Sequence, residues 1–432
     1  MIITIHRGAK EIGGSCVELA SARARILLDF GLPLVDNAGR SFDSAILAGK
    51  SIKELEKSYV LPGVRGLYPG EDAGIDAILI SHSHPDHYGL LSFAAKGIPV
   101  YLSEGANELI RISGMFTPVK AGKFEARAIK RGKSFSIKDI KITPYGVDHS
   151  AFDALAFLIE ADGKRVFYSG DFRGHGRKSA LFKQMVRNPP KDIDCLLMEG
   201  TSLGKKDCGR QDEVNVQRGI EDVLQRSGKV TFFFVSSQNI DRLVSAYKAC
   251  RNTGATFVID AYTAYVLEKV GGVARSGKIP QFNWPGVRVK FYDNHCKTIT
   301  RGESLQALYR YHSAKIGFDE INKSSGKFLV LARGNSLFPK ILDKLNNPRG
   351  AVIIYSMWEG YLNREFKDFC RSRGLLIEKV HTSGHATTGD LAGFARALDP
   401  KVLIPIHTFY PGQYKKLFGR VKMLKDKEPF EV

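Results

Sequence analysis

The stretch Ile75-Asp76-Ala77-Ile78-Leu79-Ile80-Ser81-His82-Ser83-His84-Pro85-Asp86-His87 decides the fold. An apolar run of strand type stops at Ser81, and the next six residues hold three histidines and one aspartate. Imidazole and carboxylate together suit zinc or manganese, without the thiolates that a structural zinc site prefers. On an extended turn alternate residues point to the same side, so His82 and His84 can reach one metal while Asp86 and His87 turn towards another. A purely structural role would have to explain four ligand-type side chains gathered where a strand ends.

Working outward, residues 1 to about 200 alternate short apolar strands with turns. The strands are read at 24–30, 75–81, 154–161, 165–169 and 193–199, and Asp162-Gly163 is a two-residue hairpin signal. Residues 51–58 and 89–96 read as helices between them. From about 206 the pattern changes. Helices at 213–226, 240–250 and 263–270 alternate with strands at 229–235 and 256–260, followed by a strand at 351–355 and a helix at 362–373. Such βα alternation implies a parallel sheet with flanking helices. From about 376 short strands return, including 402–406, and a basic tail follows with Lys415, Lys416, Arg420, Lys422, Lys425 and Lys427. The expected organisation is therefore one unit over 1–205, an inserted α/β unit over 206–375, and a return to the first over 376–432.

The chain has 432 residues, 43% of them hydrophobic and 25% charged, which is enough for two buried cores and argues against disorder. The opening Met1-Ile2-Ile3-Thr4-Ile5-His6 reads as a strand and lacks the layout of a signal peptide. No apolar run is long enough to span a bilayer, so the expected location is the cytoplasm with no membrane partner. Six scattered cysteines without a C-x-x-C pair argue against a disulfide framework or a thiolate zinc site. Lys and Arg outnumber Asp and Glu by 64 to 45, a net charge of +19 whose field draws polyanions. Two shorter basic stretches add to it, Lys123, Arg127, Lys130 and Arg131 in one and Lys205-Lys206 in the other; at the border of a cleft between the units they would guide a phosphate backbone.

The H-x-H-x-D-H run resembles the signature of the metallo-β-lactamase superfamily, whose fold is an αβ/βα sandwich with metals along one edge. The resemblance implies further ligands in order, and the sequence offers them: His149 in Val147-Asp148-His149-Ser150, Asp171 in Tyr168-Ser169-Gly170-Asp171, and His407 after residues 402–406. By this resemblance His82, His84 and His149 hold one divalent ion, Asp86, His87 and His407 hold a second, and Asp171 bridges them. Zinc is the expected metal, with manganese as the alternative. Two such ions about 3.5–4 Å apart would share a hydroxide as nucleophile. Asp29, in Leu27-Leu28-Asp29-Phe30-Gly31, matches the family's early aspartate that supports the ligand loop from behind.

The superfamily hydrolyses thioesters, lactones, β-lactams and phosphodiesters, so the ligands alone leave the substrate open. An α/β unit between the bridging Asp and the last His resembles the β-CASP nucleases, and in form ribonuclease J without its C-terminal domain. The implied acidic motif is Glu199, in Leu197-Met198-Glu199-Gly200-Thr201, with Gly200 where those nucleases usually carry Ser. The implied catalytic histidine is His385, in His381-Thr382-Ser383-Gly384-His385, and His407 is of the form found in members acting on RNA. His385 would stabilise phosphoryl charge or protonate the leaving alkoxide, with Glu199 orienting it and Asp86 completing the catalytic set. Ser236, Ser237, Asn239 and Arg242, together with Ser356 and Ser383, resemble nucleotide-binding parts of ribonuclease J. The expected function is thus a metal-dependent phosphodiesterase cutting single-stranded nucleic acid, RNA rather than DNA, by a bridging hydroxide. The alternatives are a DNA nuclease and a thioesterase or lactonase of the same superfamily. His295 and His312 receive no role from the sequence.

Overall fold

The computed structural model describes residues 1–35, 40–72, 74–204 and 212–432; Lys205-Lys206 therefore lie outside the described residues. The chain divides into two compact units, Met1–Asp207 with Gly384–Val432, and Cys208–Ser383.

In the first unit the strands run β1 (Ile2–Arg7), β2 (Cys16–Ala20), β3 (Arg25–Leu28), β4 (Ala77–Leu79), β5 (Val100–Ser103), β6 (Ala126–Ile129), β7 (Phe135–Ile137), β8 (Ile140–Gly146), β9 (Leu155–Ala161), β10 (Lys164–Tyr168) and β11 (Cys195–Glu199). The second unit contributes β12 (Thr231–Phe234), β13 (Thr256–Asp260), β14 (Val287–Lys290), β15 (Phe328–Ala332), β16 (Val352–Tyr355) and β17 (Leu376–Lys379). The first then resumes with β18 (Val402–Ile406) and β19 (Pro429–Glu431).

Two sheets build the first unit, in the orders β19-β1-β2-β3-β4-β5-β6 and β18-β11-β10-β9-β8-β7. Alternate residues of each sheet point between them, as the two-residue strand period requires. Ile3, Ile5, Val17, Leu28 and Leu79 from one meet Ile142, Phe157, Val166, Leu197 and Ile404 from the other in a single buried core. The opposite faces are also buried, each under helices. Leu27, Ile78 and Leu102 pack with Ala106 and Ile110 of the helix Glu104–Phe116. Leu158, Phe167 and Leu196 pack with Leu391, Phe394 and Leu398 of the helix Thr388–Leu398. The result is the four-layer αβ/βα sandwich expected from the sequence.

The Asp162-Gly163 turn joins β9 to β10, with both residues in the left-handed region at φ 51° and 68°. Residues 51–58 form the expected helix, Ile52–Lys57, closed at its start by a Ser51–Glu54 capping box. Residues 89–96, read as a helix, make only a 3₁₀ turn at Leu91–Phe93. Gly97 and Pro99 follow at once, and proline disfavours helical backbone in the residue before it.

The second unit is one wholly parallel sheet in the order β14-β13-β15-β12-β16-β17, over its own core of Phe232, Phe234, Val330, Phe338 and Ile353. The sequence reading ended this unit at 375. Instead β17 pairs in parallel with β16, from Val352 with Leu376 to Tyr355 with Lys379, and the unit runs on to Ser383. The helix Arg364–Ser372 is the crossover that a parallel pair needs, so strand and helix belong together.

One glycine ties the fold of the first unit to its ligand loop. A Cβ on Gly31 would lie 1.6 Å from the carbonyl oxygen of Asp86, so the backbone after β3 touches the backbone of the ligand run. Phe30 N–H donates to the His87 carbonyl at 2.8 Å and Leu32 N–H to that of Pro85 at 2.9 Å, on either side of the contact. Gly31→Ala is therefore expected to destabilise the chain by ~1–3 kcal/mol through backbone displacement. An unchanged melting temperature would contradict this close packing.

Candidate metal centre

Strand β4 ends in the core at Leu79, and the chain emerges at the edge of the sandwich with Ser81. His82 follows, then His84 in extended backbone, and Pro85 opens a single helical turn, Pro85–Tyr88, at its start. That turn re-aims Asp86 and His87 relative to the two histidines before them. His149 comes from the loop between β8 and β9, Asp171 from just beyond β10, and His407 from the residue after β18. His407 takes left-handed backbone, φ 51°, and its N–H donates to the Gly8 carbonyl at 2.8 Å.

These seven side chains form two groups, His82, His84 and His149 in one, and Asp86, His87, Asp171 and His407 in the other, with ligand atoms within 4.8 Å of one another in each. His149 Nε2 lies 3.2 Å from His84 Nδ1. The second group has His87 Nε2 at 3.2 Å from Asp171 Oδ2 and His407 Nε2 at 3.3 Å from Asp86 Oδ2. Asp171 Oδ2 is also 3.8 Å from His82 Nε2, so this carboxylate faces both groups. A third grouping shares Asp171 and His407 and adds Glu199 and His385. His385 Nδ1 stands 3.5 Å from both Asp171 Oδ2 and Glu199 Oε1.

The residues fit divalent cations. His82 Nε2, His87 Nε2 and both carboxylate oxygens of Asp171 are buried with no hydrogen-bond partner. A buried carboxylate without compensation costs several kcal/mol, which a coordinated cation removes. The electrostatics agree. Burial and the neighbouring imidazoles hold His82 well below the ordinary histidine pKa, and burial brings His84 down to about 4. Burial does the same to His149, reinforced by His84. These rings are neutral at physiological pH, the form that binds metal. Burial opposes charge on His87 too, but the carboxylates of Asp171, Asp29 and Asp86 outweigh it and raise its pKa. A proton there occupies the place that a cation would take. Asp86 and Asp171 are held ionised by the surrounding imidazoles against the effect of burial.

A supporting layer fixes the rings. Asp29, fully buried and itself at φ 61°, accepts from Ser81 N–H at 2.7 Å, Ser81 Oγ at 2.8 Å, His87 Nδ1 at 2.7 Å and Tyr168 OH at 2.6 Å. The His87 bond selects the tautomer whose Nε2 faces the cluster. His149 Nδ1 bonds the Gly384 carbonyl at 2.6 Å, and His407 Nδ1 meets Thr201 Oγ1 at 2.8 Å. Lys178 Nζ donates to the His149 carbonyl at 2.9 Å. Ser81, Tyr168, Thr201 and Lys178 were not among the residues singled out from the sequence. Ser81 and Thr201 each lie within two residues of a motif residue at a strand end, and that position is the signal that was available.

Glu199 closes β11 and is buried, with its carboxylate accepting from Thr201 N–H at 2.9 Å, Ala386 N–H at 3.3 Å and Phe172 N–H at 3.4 Å. Burial opposes protonation of His385, but Glu199 and then Asp171 outweigh it, so its pKa is raised.

In the second unit, Ser236 and Ser237 follow β12, Asn239 caps the helix Ile240–Thr253, and Ser356 follows β16. Strands β12 and β16 are neighbours whose onward connections leave in opposite directions, to β13 and to β17. Such a divergence opens a crevice at the carboxyl ends of the strands. Arg242 is fully buried there, bonded to Glu213 (Nε to Oε2, 3.2 Å), the Ser356 carbonyl and Oγ (3.0 and 2.5 Å) and the Thr382 carbonyl (3.0 Å). Its guanidinium thus organises the Ser356 loop from beneath. Ser237 Oγ pairs with Thr263 Oγ1 at 2.7 Å, while Ser236 and Ser383 are exposed. His295 lies beside Asp260 at 3.8 Å, between the rings of Tyr262 and Tyr292, and His312 opens a 3₁₀ turn. Neither belongs to the first unit that carries the cluster.

A family model for the β-lactamase superfamily domain matches residues 61–235. A ribonuclease J from Sinorhizobium meliloti is 22% identical over 80% of this chain, which spans 61% of that protein's length. An RNase J-like protein from Methanocaldococcus jannaschii is 24% identical over 94% of the chain and 92% of its own length. A solved structure of a protein of unknown function from Enterococcus faecalis V583 superposes with a TM-score of 0.80 at 22% identity, covering 99% of both chains, and so shares the fold. The sandwich and its His/Asp cluster are those of a metallo-β-lactamase fold, residues 61–235 match the β-lactamase superfamily domain, and the similarity to ribonuclease J proteins supports the β-CASP resemblance read from the sequence. Among the described residues no helix is long and apolar enough to cross a membrane.

Asp29→Asn would retain the size of the side chain but lose acceptor capacity for its four donors. It is expected to lower metal affinity ~10–100-fold, measured by zinc competition against a chromogenic chelator. Wild-type affinity in this variant would contradict the supporting role of Asp29.

Proposed function

We propose that the chain is a metal-dependent phosphodiesterase that cleaves single-stranded nucleic acid, RNA in preference to DNA. The observation that carries this reading is the Glu199–His385 pair set against Asp171, at the edge of the two ligand groups. A thioesterase or lactonase expels a thiolate or alkoxide from an acyl carbon. Either reaction adds negative charge to oxygen; in a phosphodiesterase it falls on two non-bridging oxygens, and a raised-pKa imidazole beside the ligand groups suits that need. The similarity to ribonuclease J proteins and the net charge of +19 support the same substrate class.

Two divalent ions, zinc first and manganese second, would be held by His82, His84 and His149 and by Asp86, His87 and His407, with Asp171 between them. When bound they supply charge neutralisation at the phosphoryl group and an activated water. The protein's own residues do the rest. Asp86 and Asp171, held ionised, would hold the cations, and Asp29 locks the His87 ring. Glu199, immobilised by three backbone N–H groups, keeps the His385 ring oriented and favours its protonated form. With Nδ1 turned to Glu199 and Asp171, His385 offers a proton through Nε2 to a non-bridging oxygen or to the departing alkoxide. Ser236 and Ser383, which are exposed, are assigned to substrate contact, whereas Ser237 and Ser356 are buried and bonded to Thr263 and Arg242, and with Asn239 at the helix start they shape the loops behind that surface.

Wild-type protein supplied with Mn2+ or Zn2+ is expected to cut end-labelled single-stranded RNA faster than the matching DNA. Asp86→Ala/His87→Ala should abolish cleavage yet leave RNA binding, and His385→Ala should slow cleavage by ~10²–10⁴-fold. Intact RNA and DNA together with rapid hydrolysis of a thioester or lactone would replace this reading with the small-molecule alternative.

A further inference from the structure

The basic stretch that follows His407 takes no part in the centre described above, yet it begins at one of its ligands. Residues 409–422 contain two adjacent aromatics, Phe409 and Tyr410, then Lys415, Lys416, Arg420 and Lys422, and no acidic residue. We propose that this segment is a track for single-stranded polynucleotide, with bases stacked on Phe409 and Tyr410 and phosphates held by Lys415, Lys416 and Lys422. The proposal rests on the reading of the chain as a nuclease and extends it to a substrate-holding surface of the first unit.

Three observations carry it. First, the aromatic rings are exposed where burial would be the ordinary outcome: Phe409 is 44% and Tyr410 49% accessible, two and three residues beyond His407. Side chains of this size usually bury most of their surface, and adjacent exposed rings offer π-faces to bases of any sequence. Second, the cations are uncompensated. Arg420 pairs with Asp399 at 3.4 Å, but Lys415, Lys416 and Lys422 are exposed with no acidic partner among the described residues. Polyphosphate is the partner that such a cluster attracts by counterion release.

Third, the segment is held rigidly to the strands that carry the catalytic groups. Tyr414 is fully buried, and its OH donates to the Glu199 carbonyl at 2.6 Å. A Cβ on Gly200 would lie 2.5 Å from that hydroxyl, so glycine there admits the ring. A Cβ on Gly204 would lie 2.5 Å from the ring of Tyr410, which therefore rests on bare backbone. Further on, Leu403 N–H donates to the Arg420 carbonyl at 3.0 Å and Lys422 N–H to that of Leu403 at 2.9 Å, pinning the segment along β18. A surface fixed in advance loses little freedom on binding.

The test is equilibrium binding of a fluorescein-labelled oligouridine, read by anisotropy in EDTA so that no cleavage occurs. The wild type is compared with Phe409→Ala/Tyr410→Ala and with Lys415→Gln/Lys416→Gln/Lys422→Gln. Losing a stacking platform should weaken binding roughly 5–150-fold. Losing three phosphate contacts should reduce the slope of log K against log salt by about 2. The lysine variant alters only exposed side-chain tips and so reports even where the aromatic variant folds poorly. A wild type that does not bind, or a lysine variant with the wild-type affinity and salt slope, overturns the track. Cleavage by the wild type with Mn2+ is scored separately. RNA cut normally but bound equally by all three proteins removes the track and leaves the nuclease reading. RNA bound through these side chains but never cut does the reverse.

Discussion

The carboxylate of Asp29 is the constraint on which the centre depends. It is wholly buried, it sits in left-handed backbone, and it takes hydrogen bonds from Ser81, His87 and Tyr168. Those partners come from the start and end of the ligand run and from the opposite sheet, at the last residue of β10. One charged group thus joins the two sheets at the edge where β4 and β10 end. Removing a charge-assisted acceptor from a buried position leaves several donors unmatched, so the site and the local fold fail together. Gly31 acts alongside it, since only a residue without a side chain lets the backbone after β3 touch Asp86. Asp29 and Gly31 are two residues apart, and both act on the same six-residue run.

Much of this was legible in the sequence because several of the candidate site residues stand at strand ends. His82, Asp171, Glu199 and His407 each follow or close an apolar run whose length and composition announce a strand. In an αβ/βα sandwich strand ends share an edge, so a list of strand-end ligands is already a site. The βα alternation of the second unit was equally readable, since its strands are short apolar runs between amphipathic helices. The strand Leu376–Lys379 was assigned to the wrong side of a boundary because its pairing with Val352–Tyr355 is a long-range choice that local pattern does not encode. The same holds for Arg242. Its sequence position at a helix start suggests a phosphate ligand, whereas its bonds to Glu213, Ser356 and Thr382 depend on segments far apart in the chain. Tyr168 was invisible for that reason too, being an ordinary residue until the fold brings it to a carboxylate.

The two units contribute different physics. The first collects negative charge and neutral imidazole in a buried pocket of orphaned ligand atoms, an arrangement stable only with cations or protons to balance it. The second is an open parallel sheet with serine-rich loops at the carboxyl ends of its strands, the place where such sheets take ligands.

The central claim is that the His/Asp cluster is a two-metal centre that breaks phosphodiester bonds. Its most direct test is cleavage of end-labelled single-stranded RNA by protein stripped with EDTA and then reloaded with one divalent ion at a time. The account predicts no products from the stripped protein and a restored product ladder with manganese or zinc, at two bound ions per chain. RNA left intact with every ion, or cut equally well by the stripped protein, would contradict it.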